Sequence, residues 1–272
     1  VYLTSVVGLS DVTAGDVMAL YAFFRLGPLL GGILADRIGF KVALVVSLVL
    51  YAAGYGVLLV ATDVLYAQAS IILIGVAGAL FKPIITGTVV RTSPPGRQTE
   101  GFAIFYRIVN SGSVIGKTLT YFVRTFLSLR LVVVNAVVAS VIAIGLAALV
   151  FTEPVPRAAT GEVTKKPGVL EVLRGVLSAL REWRFTGALL ILSGFYFMAE
   201  QFYQTFPKYV TRVIDPDAPL EWVTLVNPLM IALFQGQVTG RSKSLAPLAA
   251  MVAAMFVGSA SMFLMGALPG LL

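Results

Sequence analysis

Apolar runs of about 20 residues recur roughly eight times along this chain, and each is long enough to cross hydrocarbon as a helix. They run near Asp16–Leu34, Lys41–Ala61, Tyr66–Val90, Gly101–Leu127, Leu131–Phe151, Phe185–Val210, Leu220–Val238 and Leu245–Leu268. Only 12% of the 272 residues are charged, where a soluble globular chain carries about 25%. The fold class expected is therefore an all-α, multi-pass membrane protein. The net charge of +7 raises nucleic acid as a partner, but the basic residues are spread over alternate loops rather than gathered in a patch, so a nucleic-acid partner is not expected. The chain has no Cys and no His, which removes disulfides, thiol chemistry, zinc sites and histidine catalysis. No cofactor motif, metal-ligand cluster or nucleophile–base pair is present, which argues against an enzyme.

Most connectors are short, such as Ala35–Phe40, Arg91–Glu100 and Ser128–Arg130. Residues 153–182 differ. They open on Glu153-Pro154, pass through Lys165-Lys166-Pro167-Gly168, and then repeat Val169, Val172, Leu173, Val176, Leu177, Leu180 and Trp183 at helical spacing. This reads as an amphipathic helix on the membrane surface, the alternative being a basic loop. The expected organisation is a partial membrane bundle over 1–152, a linker over 153–182 and a second partial bundle over 183–272. Arg37, Lys41, Arg91, Arg97, Arg241, Lys243 and the linker's basic residues share one side, which the bias of short loops makes cytoplasmic. A cell (plasma or inner) membrane is the expected location. The chain starts at Val1 without Met and closes on an apolar run, so both ends read as truncations.

Several polar groups lie inside these runs, where ionisable residues are costly and mark function by default. Tyr106, Asn110, Ser113 and Lys117 fall within an arc of about 60° on one helix. Gly112 and Gly116 lie opposite, a small-residue face expected to pack closely on another helix. Lys82 shares a face with Gly75, Gly78 and Thr86, small neighbours that would leave room around an ammonium; snorkelling to the headgroups is the other reading. Arg25 is either a ligand group or half of a structural ion pair. Arg107, nearer a helix end, fits interfacial or inter-helix pairing better than a cavity, and Lys117 fits either. Glu200 is the carboxylate deepest in an apolar span, with Ser193, Tyr196 and Gln204 on its face. A carboxyl in a cavity where a cation comes and goes can take up a proton on one side and release it on the other; a static ion pair is the alternative. Trp183 and Trp222 sit at span ends, where aromatic residues anchor to the interface.

The run Gly31-Gly32-Ile33-Leu34-Ala35-Asp36-Arg37-Ile38-Gly39-Phe40-Lys41 resembles the signature loop between the second and third helices of the major facilitator superfamily. The resemblance implies two helical bundles joined by a cytoplasmic linker, with Gly31, Asp36, Arg37 and Gly39 latching the inward gate. It also implies that the first and last three helices of that fold lie outside these residues. Asp36 is expected to accept from the N-terminus of a neighbouring helix. Within the superfamily, Phe105-Tyr106-Arg107-Ile108-Val109-Asn110-Ser111-Gly112-Ser113 resembles the F-Y-x-x-I-N-x-G-S signature of proton-dependent oligopeptide transporters. Gly75 to Pro83, Glu200-Gln201 and Asn227-Pro228 are similar to that family's fourth, seventh and eighth helices, in the same order. The resemblance implies proton-coupled symport of small peptides, with Lys82, Tyr106, Asn110, Asn227 and Arg25 facing substrate and Glu200 carrying the proton. The partners implied are a peptide or other small solute, protons and the lipid bilayer. Another cargo, such as an anionic metabolite or drug, is the main alternative; a non-transporting scaffold is the third. Two departures stand out: Arg25 where the family often has tyrosine, and Phe202-Tyr203 where it tends to small polar residues.

Overall fold

A computed structural model describes residues 2–24, 27–154, 168–216, 218–242 and 244–267. The described residues of all eight apolar runs are mainly helical. The elements are α1 (Tyr2–Ser5), α2 (Asp11–Phe24), α3 (Pro28–Ile38), α4 (Phe40–Leu59), α5 (Val64–Thr92), α6 (Gln98–Phe126), α7 (Leu129–Leu149), α8 (Val169–Arg181), α9 (Trp183–Tyr209), α10 (Leu220–Ser242) and α11 (Pro247–Ala267). A π-turn over Val210–Ile214 prolongs α9. Among the described residues, α4, α5, α7 and α9 with its π-turn are long and apolar enough to span a membrane alone. The run expected as one helix over Asp16–Leu34 is instead α2 and α3, bent by 49°. Pro28 opens α3 and has no N–H to continue α2, and the Gly27 N–H closes a tight turn on the Phe24 carbonyl at 2.9 Å. Helices α6 and α10 are long but more polar, and the apolar part of α11 is Leu248–Leu264.

The chain divides into two compact units, Val1–Phe105 with Ile115–Val169, and Tyr106–Val114 with Leu170–Leu272. In the first, α5 packs along α2, α3 and α4, and α7 packs on α4. Its main core joins Ala35, Phe40, Ala43, Leu44, Leu48, Leu80, Ile84 and Ala147; a second cluster joins Val17, Ala67 and Ile71. Lipid is as apolar as leucine, so such helices gain little by hiding apolar surface and hold together by close contact and buried hydrogen bonds. Both are present. A Cβ at Gly31 would overlap the Ala79 carbonyl of α5, and one at Gly54 would meet Ile74 Cγ1 at 2.7 Å. The buried Ser70 hydroxyl donates to the Gly54 carbonyl at 2.9 Å, tying α5 to α4. The helix ends are closed locally: Asp63 accepts from Leu65 and Tyr66 at the start of α5, and Ser128 from Leu131 at the start of α7. At the far end of α4 the Arg130 Nε donates to the Leu59 carbonyl, a cation at the negative end of a helix.

In the second unit, Phe206, Val210 and Ala218 form a small core around the π-turn. Helix α8 follows the spacing expected of an amphipathic helix and has no buried residue. Residues 155–167 of the expected linker lie outside the described residues, as does Arg25.

Candidate functional site

The α3–α4 loop needs Gly39, whose φ of +93° is strained for any residue with a Cβ. Asp36 and Arg37 lie exposed in the last turn of α3. The Arg91 Nη2, at the end of α5, donates to Asp36 Oδ1 at 2.6 Å. The same guanidinium lies 3.9 Å over the Phe40 ring, which places a cation on an aromatic face. The N-terminus of α4 is capped by Glu153. Its carboxylate accepts from the Phe40 and Lys41 N–H groups at 2.7 and 2.8 Å. Those are first-turn donors with no partner inside α4, and the negative charge also suits that helix end. Asp36 sits beside the end of α5, within reach of a cation. A Cβ at Gly39 would lie 3.5 Å from Glu153 Oε2, an ordinary contact, so it is the turn and not the cap that calls for glycine. A cleft of about 340 Å³ runs beside this cluster, lined by Gly32, Asp36, Phe40, Pro83, Thr86 and Arg91 among others. Gly31 is buried one turn earlier, against α5.

Lys82 is exposed on α5, and the Thr86 hydroxyl donates to its carbonyl at 2.9 Å. The small residues on its face do not leave empty room. A Cβ at Gly75 would overlap the Phe24 ring at 2.6 Å, and one at Gly78 would lie 3.1 Å from the Tyr51 hydroxyl. These glycines admit aromatic rings from α2 and α4. Tyr51 in turn packs edge-on against Phe81 and stacks with Tyr55. The residues beside Lys82 are therefore aromatic, which glycine spacing in the sequence did not reveal.

Tyr106, Asn110, Glu200 and Asn227 all fall in the second unit, whereas Lys82 falls in the first. Asn110 Nδ2 donates to the Tyr106 carbonyl at 2.7 Å, so its amide is turned back along its own helix. Tyr106 is 48% exposed. Asn227 Nδ2, on α10, donates to the Tyr203 hydroxyl on α9. Tyr203 lies three residues after Glu200, on the adjoining part of the same face. A residue noted only as a departure from the family pattern thus holds one of the expected site residues. Pro207 and Pro228 interrupt the hydrogen-bond ladders of α9 and α10.

Arg107 reaches α10, where a Cβ on Gly236 would collide with its Nη2. The inter-helix reading of Arg107 fits this contact, and Gly236 is the partner that sequence spacing could not name. Among the described residues the Gly112–Gly116 face does not pack as expected: none lies within 4 Å of a Cβ at either position. Helix α6 buries none of its described residues. The tight helix crossings lie instead at Gly31 and Gly54.

The sequence profile of the Major Facilitator Superfamily matches residues 1–272. The chain is 25% identical over 221 residues to the multidrug resistance protein MdtH of Shigella sonnei (strain Ss046), and equally so to MdtH of Escherichia coli O1:K1 / APEC. Each match covers 81% of this chain and 52% of the relative, so the chain spans about half the length of these curated relatives. Among solved structures, the peptide transporter POT, as a glutamate-to-glutamine mutant in complex with sulfate, superposes with a TM-score of 0.64 at 18% identity, covering 90% of this chain and 64% of that one. The same transporter in complex with alafosfalin gives a TM-score of 0.61 at 18% identity, covering 89% and 62%.

Proposed function

Because the chain belongs to the major facilitator superfamily, we propose that it forms the greater part of a proton-coupled symporter of small peptides or peptide-like solutes working by alternating access. It is a multi-pass integral membrane protein, and its location is the cell membrane. The observation that carries the reading is the Glu200–Tyr203–Asn227 grouping on α9 and α10. It puts a carboxyl group within a spanning helix beside a hydrogen bond that joins two helices. The shared fold with POT supports the peptide cargo. Glu200 takes the proton, while Lys82, Tyr106, Asn110, Asn227 and Arg25 face the substrate. Gly31, Asp36, Arg37 and Gly39 form the cytoplasmic latch, with Arg91 and Glu153 as their partners. The test is Glu200→Gln in the whole protein reconstituted into liposomes. Gradient-driven dipeptide uptake falls at least ~100-fold if this carboxyl is the proton carrier, while counterflow without a gradient persists. Unchanged proton-driven uptake rejects the assignment.

The similarity to MdtH over 81% of the chain favours a second cargo, a drug-like solute. Competition separates the two. A dipeptide that displaces a labelled peptide where amphiphilic drugs do not supports the first reading, and the reverse supports the second.

A further inference from the structure

The side chains of α8 are sorted by height above the apolar face as well as by polarity. With Leu170 as origin and about 100° per residue, the apolar residues from Val169 to Leu180 fill roughly the half-circle from 180° to 360°. Glu171, at about 100°, points to the opposite pole, and Ser178 lies beside it. Arg174 and Arg181 do neither. They fall at about 40° and 20°, on one edge, next to Leu170 and Leu177. They are seven residues apart, about 10 Å along the axis. An arginine at that height has its stem among apolar side chains and its guanidinium at the waterline.

The position of α8 in the chain supplies the second observation. A single residue, Glu182, separates its last residue from Trp183, the first residue of α9. With its π-turn, α9 is long and apolar enough to span the membrane. Trp183 is 74% exposed, with the Arg184 guanidinium 5.7 Å from its ring. A one-residue joint covers only about 3.5 Å, so the end of α8 is held at headgroup level. Leu170 and Leu177 are 59% and 62% exposed, on the same side as the two arginines.

We propose that α8 is an anionic-lipid-binding element, its leucine face in the acyl boundary of the cytoplasmic leaflet and its Arg174–Arg181 edge on lipid phosphates. The surface location alone follows from amphipathicity; the selectivity for anionic headgroups follows from where the arginines stand relative to Glu171. A bidentate guanidinium suits a phosphate oxygen pair. Each arginine near an anionic surface shifts the docked fraction roughly fivefold. The inference depends on α9 spanning the membrane and not on the transported solute.

The chain has no native cysteine, so single labels report cleanly. Leu177→Cys and Ser178→Cys are each labelled with a bimane and the full chain reconstituted into phosphatidylcholine vesicles, with and without phosphatidylglycerol. Nitroxide-labelled lipid then quenches position 177 several-fold more than position 178. The contrast grows roughly fivefold or more with phosphatidylglycerol and shrinks in high salt. Adding Arg174→Gln and Arg181→Gln abolishes the phosphatidylglycerol dependence. Equal quenching at the two positions overturns the proposal, as does a contrast indifferent to phosphatidylglycerol.

Discussion

Helices α5 and α6 are each 29 residues long and meet at the loop that carries Arg97, yet they are used in opposite ways. Helix α5 buries eight residues, among them Ala67, Ser70, Gly75 and Ile84, and three other helices pack along it in its unit. Helix α6 buries none among its described residues. Length does not separate them; the amount and distribution of polarity do. Helix α5 is apolar all round and presents glycine where neighbours cross it, whereas α6 gathers Tyr106, Asn110, Ser113 and Lys117 on one face. A helix of the first kind is scaffold, and one of the second kind keeps a polar face open.

The sharpest test of that contrast exchanges glycines. Gly31→Leu puts a side chain into the Ala79 backbone of α5, which cannot move aside as a rotamer does. Its expected cost is ~3 kcal/mol or more, read as loss of the monodisperse peak and a fall in Tm in detergent. Gly112→Leu on α6 meets open space and should stay within about 0.5 kcal/mol of the parent. If both are equally damaging, the distinction between the helices fails.

Glu153→Ala, which uncovers two amides at the start of α4, should cost ~1–2 kcal/mol by the same thermal measurement, with Glu153→Gln recovering part of it. Tyr203→Phe removes the acceptor of the Asn227 amide and should cost about 1 kcal/mol. In uptake assays a rise in KM larger than the fall in kcat is the outcome that the proposed substrate-facing role of Asn227 requires. Asp36→Asn breaks the pair with Arg91, whose two side chains are 50% and 28% exposed, so its stability effect should be smallest, below about 1 kcal/mol. A clear loss of gated uptake with a nearly unchanged Tm is the outcome that marks Asp36 as part of a latch.

The helices were legible in the sequence because hydrocarbon imposes one length on every span, and the boundary of α8 because its apolar spacing is regular. The break between α2 and α3 could be read from Gly27-Pro28 only by weighing local backbone chemistry above apolar continuity. Partner choice was the hidden part. Asp36 and Glu153 are 117 positions apart in the chain, and spacing along one helix says nothing about which of them meets α4. Likewise Gly75 and Gly78 signalled small volume, but not that Phe24 and Tyr51 would occupy it. Tyr203 was visible as a departure, and only the proximity of α10 gives it a partner.

The crossing at Gly31 has one further consequence, for motion. Pro83 carries no N–H, so the Ala79 carbonyl four residues earlier lacks its usual ladder donor, and it is this carbonyl that faces Gly31. Interlocked side chains pass one another in discrete steps, each a change of rotamers. Two backbones that meet at a glycine have no teeth to disengage. The α3–α5 crossing is thus a smooth bearing, along which α3 can slide by fractions of an ångström without a rotamer barrier at each step.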